Sequence, residues 1–340
     1  MASTYVPFVR GGADILVEDL TSALVERGHE VDTIRIPFLS DWNQMLEQML
    51  AIRLMDVSAA ETLIAIRTPS YLLRHPNKRV WFIHHHRGAY DLWGTPYQDI
   101  PSTAEGLAVR RAIIEADNLY LKEAQRIYTN SMVVQERLKS FNDIESEVLY
   151  PPLGNRATPE TGSPGDYVFY PSRIVGHKRQ GLLVKAAAHL ATDTRIVIAG
   201  VPDSQEDLQS LEKEIEENGL IERVEVIPRW ISEDEKGRLI SNSLAVVYMP
   251  LMEDSYGYVT LEAFSSHKPV ITCSDSGGTL EIVRDGVNGF IAKPTGESIA
   301  AAIDRLRSRP EEAAAMGEQA YETLARVNIS WDNVVTGLLG

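Results

Sequence analysis

The feature that most limits how this chain can fold is a repeated alternation of short apolar runs with longer amphipathic segments. In the first half the runs TYVPF, VDTIRI, TLIAI, RVWFI, RIYT and SEVLY are β-branched or aromatic, the composition strands prefer. Between them, ADILVEDLTSALVERG and EGLAVRRAIIEADNLYLKEA repeat apolar residues every three or four positions, which builds one apolar helix face. Gly28 stands where the first of these helices should end. The periodicity stops at PPLGNRATPETGSPGD, residues 151–166, a Pro-, Gly- and Thr-rich stretch that reads as an interdomain linker. It restarts with YVFYP, RIVIAG, RVEVIP, LAVVYMP and PVITCS, each leading into a helical segment. Such alternation gives parallel sheets with helices on both faces, here twice over. The expected fold is α/β: two Rossmann-like, doubly wound parallel-sheet domains. Their ligand site is expected at the carboxyl ends of the strands, in a cleft that the domains face.

A chain of 340 residues suits two domains of ordinary size, and 44% hydrophobic content supplies their cores. No apolar run reaches the roughly 18 residues a membrane span needs, and MASTYVPFVRGG lacks the layout of a secretory signal. A single cysteine, Cys273, leaves no intramolecular disulfide and no Cys-rich zinc site, so a cytoplasmic location is expected. The formal charge of −15 argues against a nucleic-acid partner, whose phosphates attract basic surfaces. It does not exclude a small anion held by local charge in a cleft. The first apolar run begins so close to Met1 that the natural start is expected a few residues upstream.

Two stretches carry the chemistry. In MPLMEDSYGYVTLEA, residues 249–263, a strand ending near Pro250 passes through an acidic loop into a helix expected to begin near Tyr256 or Gly257. The first amides of a helix lack intrahelical partners and sit at its positive dipole end, which suits a phosphate. Glu262 falls in the second turn among Val259, Leu261, Ala263 and Phe264, where a carboxylate is costly unless bonded. Two vicinal ribose hydroxyls would satisfy it, and Asp254 in the loop could accept from another hydroxylated ring. Taken alone, an acid spaced so is more often a solvated residue or a helix cap. The second stretch, YPSRIVGHKRQG (170–181), reverses that weighting. Arg173 and Lys178 stand at another strand-to-helix turn, where open α/β sheets bind ligands and where both can reach one diphosphate.

Together these stretches resemble the retaining GT-B glycosyltransferases of family 4, the group 1 glycosyltransferases. The resemblance covers nearly the whole chain and is strongest in EDSYGYVTLEAFSSHKPVITCSDSGGTLEIVRDGVNGFI. That segment holds an acid, seven residues and Glu-Ala, then a Pro-Val strand, Gly-Gly-x-x-Glu-Ile-Val and Asp-Gly-x-x-Gly. PFVRGGAD resembles the family's glycine-rich loop, and RGHEV the end of its first helix. The resemblance implies that Arg173 and Lys178 hold the donor diphosphate and that Glu262 binds the ribose. It gives the transferred sugar to Asp254, helped by backbone amides of Ser255, Tyr256, Gly257 and Tyr258. Gly11 and Gly12 would let the backbone approach the diphosphate or acceptor. The loop at Pro228, Arg229 and Trp230 would meet the nucleobase.

Two departures stand out. Asp254 replaces the more usual glutamate, so Glu253 is an alternative sugar contact. His267 and Lys268 fill positions where small residues or glycine are common.

The run FIHHHRGAYDLWG (82–94) suggests zinc at first sight. Adjacent strand residues point to opposite faces, so at most His84 and His86 converge, and structural zinc wants four N or S ligands. By resemblance, His84 lies near the donor sugar and acceptor, with His85, His86 and Arg87 as candidate acceptor contacts; an interdomain surface is the alternative for these three. No Asp-x-Asp occurs, and the resemblance implies no metal and no cofactor.

The reading is a glycosyltransferase that moves a sugar from a nucleotide-diphosphate donor to a saccharide, lipid-linked or small-molecule acceptor. Residues 1–155 would form the acceptor-side domain and 156–328 the donor domain. Residues 329–340 would be a helix packing back on the first. The mixed charge of RRAIIEADNLYLKEAQR leaves peripheral membrane contact open. A nucleotide-sugar epimerase and a non-catalytic sugar-nucleotide-binding protein on the same fold are the alternatives. A dinucleotide-dependent oxidoreductase lacks its Gly-x-Gly-x-x-Gly turn here.

Overall fold

The structure, a computed structural model, describes residues 1–8, 11–154 and 165–340, so most of the segment read as a linker lies outside the described residues. The chain divides into two compact units, Met1–Gly154 with Ile329–Gly340, and Asn155–Asn328.

The first unit runs β1 (Ala2–Tyr5), α1 (Gly12–Glu26), β2 (Ile34–Pro37), α2 (Met45–Leu54), β3 (Leu63–Ala65) and β4 (Lys78–Phe82). It continues with α3 (Ala104–Tyr120), β5 (Arg126–Thr129), α4 (Met132–Asn142) and β6 (Glu147–Val148). The six strands pair in parallel in the order β2-β1-β3-β4-β5-β6. β1 lies earlier than the TYVPF run: Pro7 has no amide to give a ladder, and Phe8 is exposed at a φ of 64°. β4 shows why helices cover both faces. Val80 and Phe82 enter a core with Met45 and Ile52 of α2, Ile113 of α3 and Leu138 of α4. Trp81 and Ile83 point the other way, against Leu16, Leu20 and Leu24 of α1.

The second unit runs β7 (Tyr167–Pro171), α5 (Gln180–Ala187), β8 (Arg195–Ala199), α6 (Gln205–Glu217), β9 (Val224–Ile227) and α7 (Glu233–Ser241). Then come β10 (Ala245–Val247), α8 (Tyr258–Ser265), β11 (Val270–Cys273), β12 (Gly289–Ala292), α9 (Gly296–Ser308) and α10 (Pro310–Arg326). Its parallel order is β12-β11-β10-β7-β8-β9. The chain winds outward through β8 and β9, then returns to place β10 on the free side of β7, pairing Val246 with Phe169.

A last helix, α11 (Trp331–Leu339), belongs to the first unit. Ser330 caps it by accepting from Asn333 N. Val334, Val335 and Leu338 join the α1-side core, and Trp331 meets Trp81 edge-on at 6.5 Å. Tyr128 Oη donates to Gly337 O at 2.6 Å, and Trp331 Nε1 donates to Leu153 O at 3.1 Å. On this face of the sheet α11 packs beside α1 in one buried cluster. Leu338 is fully buried, so Leu338→Ala should cost about 2–5 kcal/mol in urea unfolding. A loss below about 0.5 kcal/mol, the size of a surface substitution, would mean that α11 does not pack here.

Candidate functional site

Between β7 and β10 the second unit reverses its winding, and open α/β sheets bind ligands at the carboxyl ends of such a strand pair. The loop after β7 carries Arg173 and a short helical turn, Gly176–Lys178, before α5. The loop after β10 carries Glu253, Asp254 and Ser255 and enters α8 through Gly257. Both expected stretches therefore leave neighbouring strands at one sheet edge.

Arg173 Nη1 donates to both oxygens of Asp203 at 2.7 Å. Lys178 Nζ donates to Tyr248 Oη at 3.0 Å and to Glu253 Oε2, and lies 5.3 Å from the centre of the Tyr248 ring. Asp254, one residue further on, is half-buried. Burial, then the neighbouring Glu253 carboxylate, holds the Tyr248 phenol well above its usual range, so it stays protonated. Tyr170 Oη donates to Lys178 O and accepts from Met249 N at 3.3 Å, which joins the two loops from beneath.

α8 begins at Tyr258, after the Tyr256 or Gly257 start the sequence suggested, because Gly257 is its cap. Gly257 has a φ of 72°, and a Cβ there would lie 2.4 Å from the Tyr248 ring. Only glycine fits both conditions. It offers no side chain to the first-turn amides. Tyr256 is buried beneath the loop, and Ser255 Oγ accepts from Gly257 N at 3.3 Å.

Glu262 is buried in the second turn. Its Oε1 accepts from Lys236 Nζ of α7 at 2.8 Å, and Lys236 also meets Glu233 at 2.9 Å. Burial opposes the Lys236 charge, but Glu262 and Glu233 raise its pKa above the ordinary value. Glu262 Oε2 is buried without a hydrogen-bond partner among the described residues. Arg229 pairs with Glu235 at 2.7 Å on the loop after β9, beside a half-exposed Trp230.

In the first unit Gly11 caps α1 and its amide donates to Asp14 Oδ2 at 3.0 Å, with Gly12 opening the helix. The Gly11 φ of −146° is ordinary, and a Cβ there would meet no atom of the described residues within 4 Å, so those neighbours do not require glycine. Beyond β4 the three histidines diverge. His84 Nδ1 lies 2.7 Å from His85 O, and His86 Nε2 lies 3.1 Å from Asp99. Burial, then the positive charge of Arg67, lowers the His84 pKa to about 4. His85 corrects an expectation. It is buried among Phe82, Tyr90 and Phe141, with Nε2 2.8 Å from Asn142 Oδ1, so it is a core residue and not an acceptor contact. Arg87 pairs with Asp91 at 2.7 Å.

With this geometry in view, residues 155–323 match the family model "Glycosyl transferases group 1". This part of the chain belongs to the group 1 glycosyltransferases. The chain is 34% identical to the alpha-1,3/1,6-mannosyltransferase ALG2 of Dictyostelium discoideum, over 35% of this chain and 27% of that protein. It is 29% identical to a D-inositol 3-phosphate glycosyltransferase of Mycobacterium sp. (strain KMS), over 65% of this chain and 56% of that one. The chain thus spans less than two thirds of the length of these curated relatives. The crystal structure of Anabaena Alr3699/HepE in complex with UDP and glucose superimposes with a TM-score of 0.73. That match, at 17% identity, covers 99% of this chain and 97% of that one. The two six-stranded parallel sheets are those of the GT-B fold.

The residues expected to meet the donor from Arg173 to Glu262 fall within the group 1 match, whereas the expected site residues Gly11, Gly12 and His84 fall outside it. Lys236, Tyr248 and Asp203 escaped the sequence reading. Lys236 follows three acids in SEDEK, a hint of a helix start, but nothing local links it to Glu262. No helix among the described residues is long and apolar enough to cross a membrane. Among them no three His, Cys, Asp or Glu side chains form a cluster able to hold a metal ion.

Burial lowers the His85 pKa to about 4, against the hydrogen bond to Asn142, which favours the charged ring. A folded pKa below the unfolded value of about 6.5 means stability that is present above that value and lost as pH falls toward 4. From pH 7 to 5 His85 should cost the fold about 2 kcal/mol. Asp117, linked to His85 by hydrogen bonds through Asn142 and Tyr90, is pushed by burial to about 6 and acts oppositely. Its effect is shared by wild type and variant. Urea unfolding at both pH values should therefore show His85→Gln losing less stability on acidification than the wild type. Equal losses would mean that His85 titrates normally.

Proposed function

We propose that this chain transfers a sugar from a nucleoside-diphosphate donor to an acceptor with retention at the anomeric carbon. Arg173 and Lys178 take the electrostatic role that a metal serves in other transferases. The observation that carries the reading is the β7–β10 edge itself. Two cations stand there, Arg173 and Lys178, and the helix that follows the β10 loop carries a buried Glu262 whose Oε2 has no partner among the described residues. A buried oxygen of that kind is costly until a hydroxyl donates to it, and a ribose brings two. The binding of UDP and glucose by the Anabaena protein of like fold supports a nucleotide-sugar ligand. The names of the curated relatives support glycosyl transfer to an acceptor.

In this mechanism the bond between the anomeric carbon and the diphosphate oxygen breaks, and charge gathers on the leaving phosphate. Arg173, Lys178 and the first amides of α8 stabilise that charge more in the transition state than in the ground state. The acceptor oxygen bonds to the same face of the anomeric carbon, and its proton passes to a leaving phosphate oxygen. Asp254 holds the sugar, Glu262 the ribose, and Arg229 with Trp230 the base. The ring of His84 is assigned to the sugar and acceptor end.

Calorimetry with UDP and GDP, against uridine and guanosine, tests the assignment. Lys178→Ala should weaken the diphosphate about tenfold to a hundredfold and leave the nucleoside unchanged, since one charged hydrogen bond to phosphate is lost. Equal losses for both ligands would overturn the diphosphate role. Glu262→Gln should weaken free nucleotide and intact donor alike. Asp254→Asn should spare the free nucleotide and reduce turnover, because its partner is absent from the product. If Asp254→Asn lost the bare nucleotide as badly as Glu262→Gln, this division of roles would be wrong.

A further inference from the structure

Next to Lys178 stands an arginine that the donor reading does not use. Arg179 has a φ of 60° and a ψ of 37°, the left-handed region that favours glycine. A non-glycine residue is held there only when its surroundings over-determine it. Here the side chain does so. Nε donates to Met249 O at 2.8 Å and Nη2 to Pro250 O at 3.1 Å, both on the loop after β10. Nη1 and Nη2 each reach one oxygen of Asp275 at 2.8 Å, and Nη2 also meets Ser276 Oγ at 3.2 Å, both on the loop after β11. One nearly buried guanidinium thus joins three loops: its own turn after β7, the acidic loop after β10 and the loop after β11.

The loops so joined are interlaced by backbone bonds. Leu251 N donates to His177 O at 2.8 Å, Met252 N to Asp275 O at 2.9 Å and Gly278 N to Glu253 O at 2.9 Å. A Cβ on Gly277, at a φ of 63°, would lie 2.4 Å from Glu253 O, so the contact is close enough to demand glycine. These bonds fix the height of the acidic loop. The bond from Leu251 to His177 O ties the acidic loop to the turn on the amino side of Lys178. Arg179 ties it on the carboxyl side, through a side chain. Its Cα follows Lys178, and its guanidinium holds the carbonyls two and three residues before Met252.

We propose that Arg179, through its fork on Asp275, is a positioning residue that sets the spacing between Lys178 and the Glu253–Asp254 loop. The hydrogen bonds of its guanidinium go to protein groups of the two loops. Its fork geometry is the point: a lysine offers one ammonium and cannot span two carboxylate oxygens and two carbonyls together. The inference rests on the donor-site reading above, and its test keeps the two apart.

Arg179→Gly is the informative variant, because it removes the clasp and also relieves the positive φ. Were Arg179 only filling a turn, this change would be neutral or stabilising and UDP binding would persist. The clasp instead predicts cooperative thermal unfolding with UDP affinity down on the order of tenfold, as expected for residues coupled in one network, and uridine affinity unchanged. Arg179→Lys should show the same loss and so fail to rescue. Amide exchange should speed up at Met252, Glu253 and Gly278 while the strands β7 and β8 keep their protection; this arm needs no ligand. Should Arg179→Gly not unfold cooperatively, Asp275→Asn removes half the fork and carries both measurements. The double variant Arg179→Gly with Asp275→Asn should be no worse than Arg179→Gly alone. Unchanged exchange at those three amides, or unchanged UDP affinity while Lys178→Ala loses it, overturns the clasp. If Lys178→Ala also leaves UDP affinity intact but exchange speeds up in Arg179→Gly, the donor reading fails and the clasp stands as a loop constraint.

Discussion

The pairing of β10 on the free side of β7 is the constraint on which the rest of the second unit depends. Because the chain winds one way to β9 and then reverses, the loops after β7 and β10 leave the sheet in opposite directions. Polar residues at those two strand ends can face one small volume without crowding the backbone. The structure fills that edge with cation–carboxylate pairs: Arg173 with Asp203, Lys178 with Glu253, Arg179 with Asp275 and Lys236 with Glu262. A chain of formal charge −15 has no general attraction for a diphosphate. What it has is a local group of bases, each kept in place by an acid, at the position the topology reserves for a ligand.

Strand identity was readable from the sequence where apolar runs were bounded sharply. YVFYP and RIYT coincide with β7 and β5, because each is a β-branched or aromatic run with turn residues close by. Boundaries shifted where a local backbone rule outweighed the pattern, as at Pro7 after β1 and at Gly257 before α8. The donor-side residues were readable because they lie within two short stretches, each a strand end with its following loop. Lys236 was not. It lies 26 positions before Glu262, and only the packing of α7 on α8 brings them together. His85 was given to the acceptor by resemblance alone, and the Tyr90 and Phe141 rings that enclose it come from later in the chain, where only the fold brings them together.

The departures from the family pattern acquire a physical reading once the backbone is known. His267, where glycine is common, has a φ of 53° just past the end of α8. Lys268 N donates to Ala263 O at 2.9 Å and His267 N to Phe264 O at 3.1 Å, the bonding of a left-handed helix stop. The imidazole stacks on Tyr321 at 4.2 Å and meets Glu318 at 3.0 Å, contacts that offset the backbone cost of a side chain there. Arg179 repeats this arrangement at the start of α5. In both places a left-handed position carries a side chain that ties its turn to another element. Glycine would satisfy the backbone and leave the turn less constrained.

The pairs at the β7–β10 edge are not equivalent, and their exposure orders what each can do. Arg173 and Asp203 are 47% and 34% exposed, so water already screens their attraction and exchanging one anion for another changes little. Lys178 and Glu253 are 11% and 16% exposed, with the Tyr248 phenol as a third partner. There the charges are largely out of water, and an ammonium deprived of its acid would be costly. A diphosphate arriving at this edge can recruit Arg173 at small cost because the residue is solvated. At Lys178 it meets an ammonium with three N–H donors, of which Tyr248 and Glu253 account for two. Arg173 therefore suits the capture of an anion, whereas Lys178 suits discrimination by charge and position. That second role demands that the distance between the β7 turn and the acidic loop be held, and Arg179 is the residue placed to hold it.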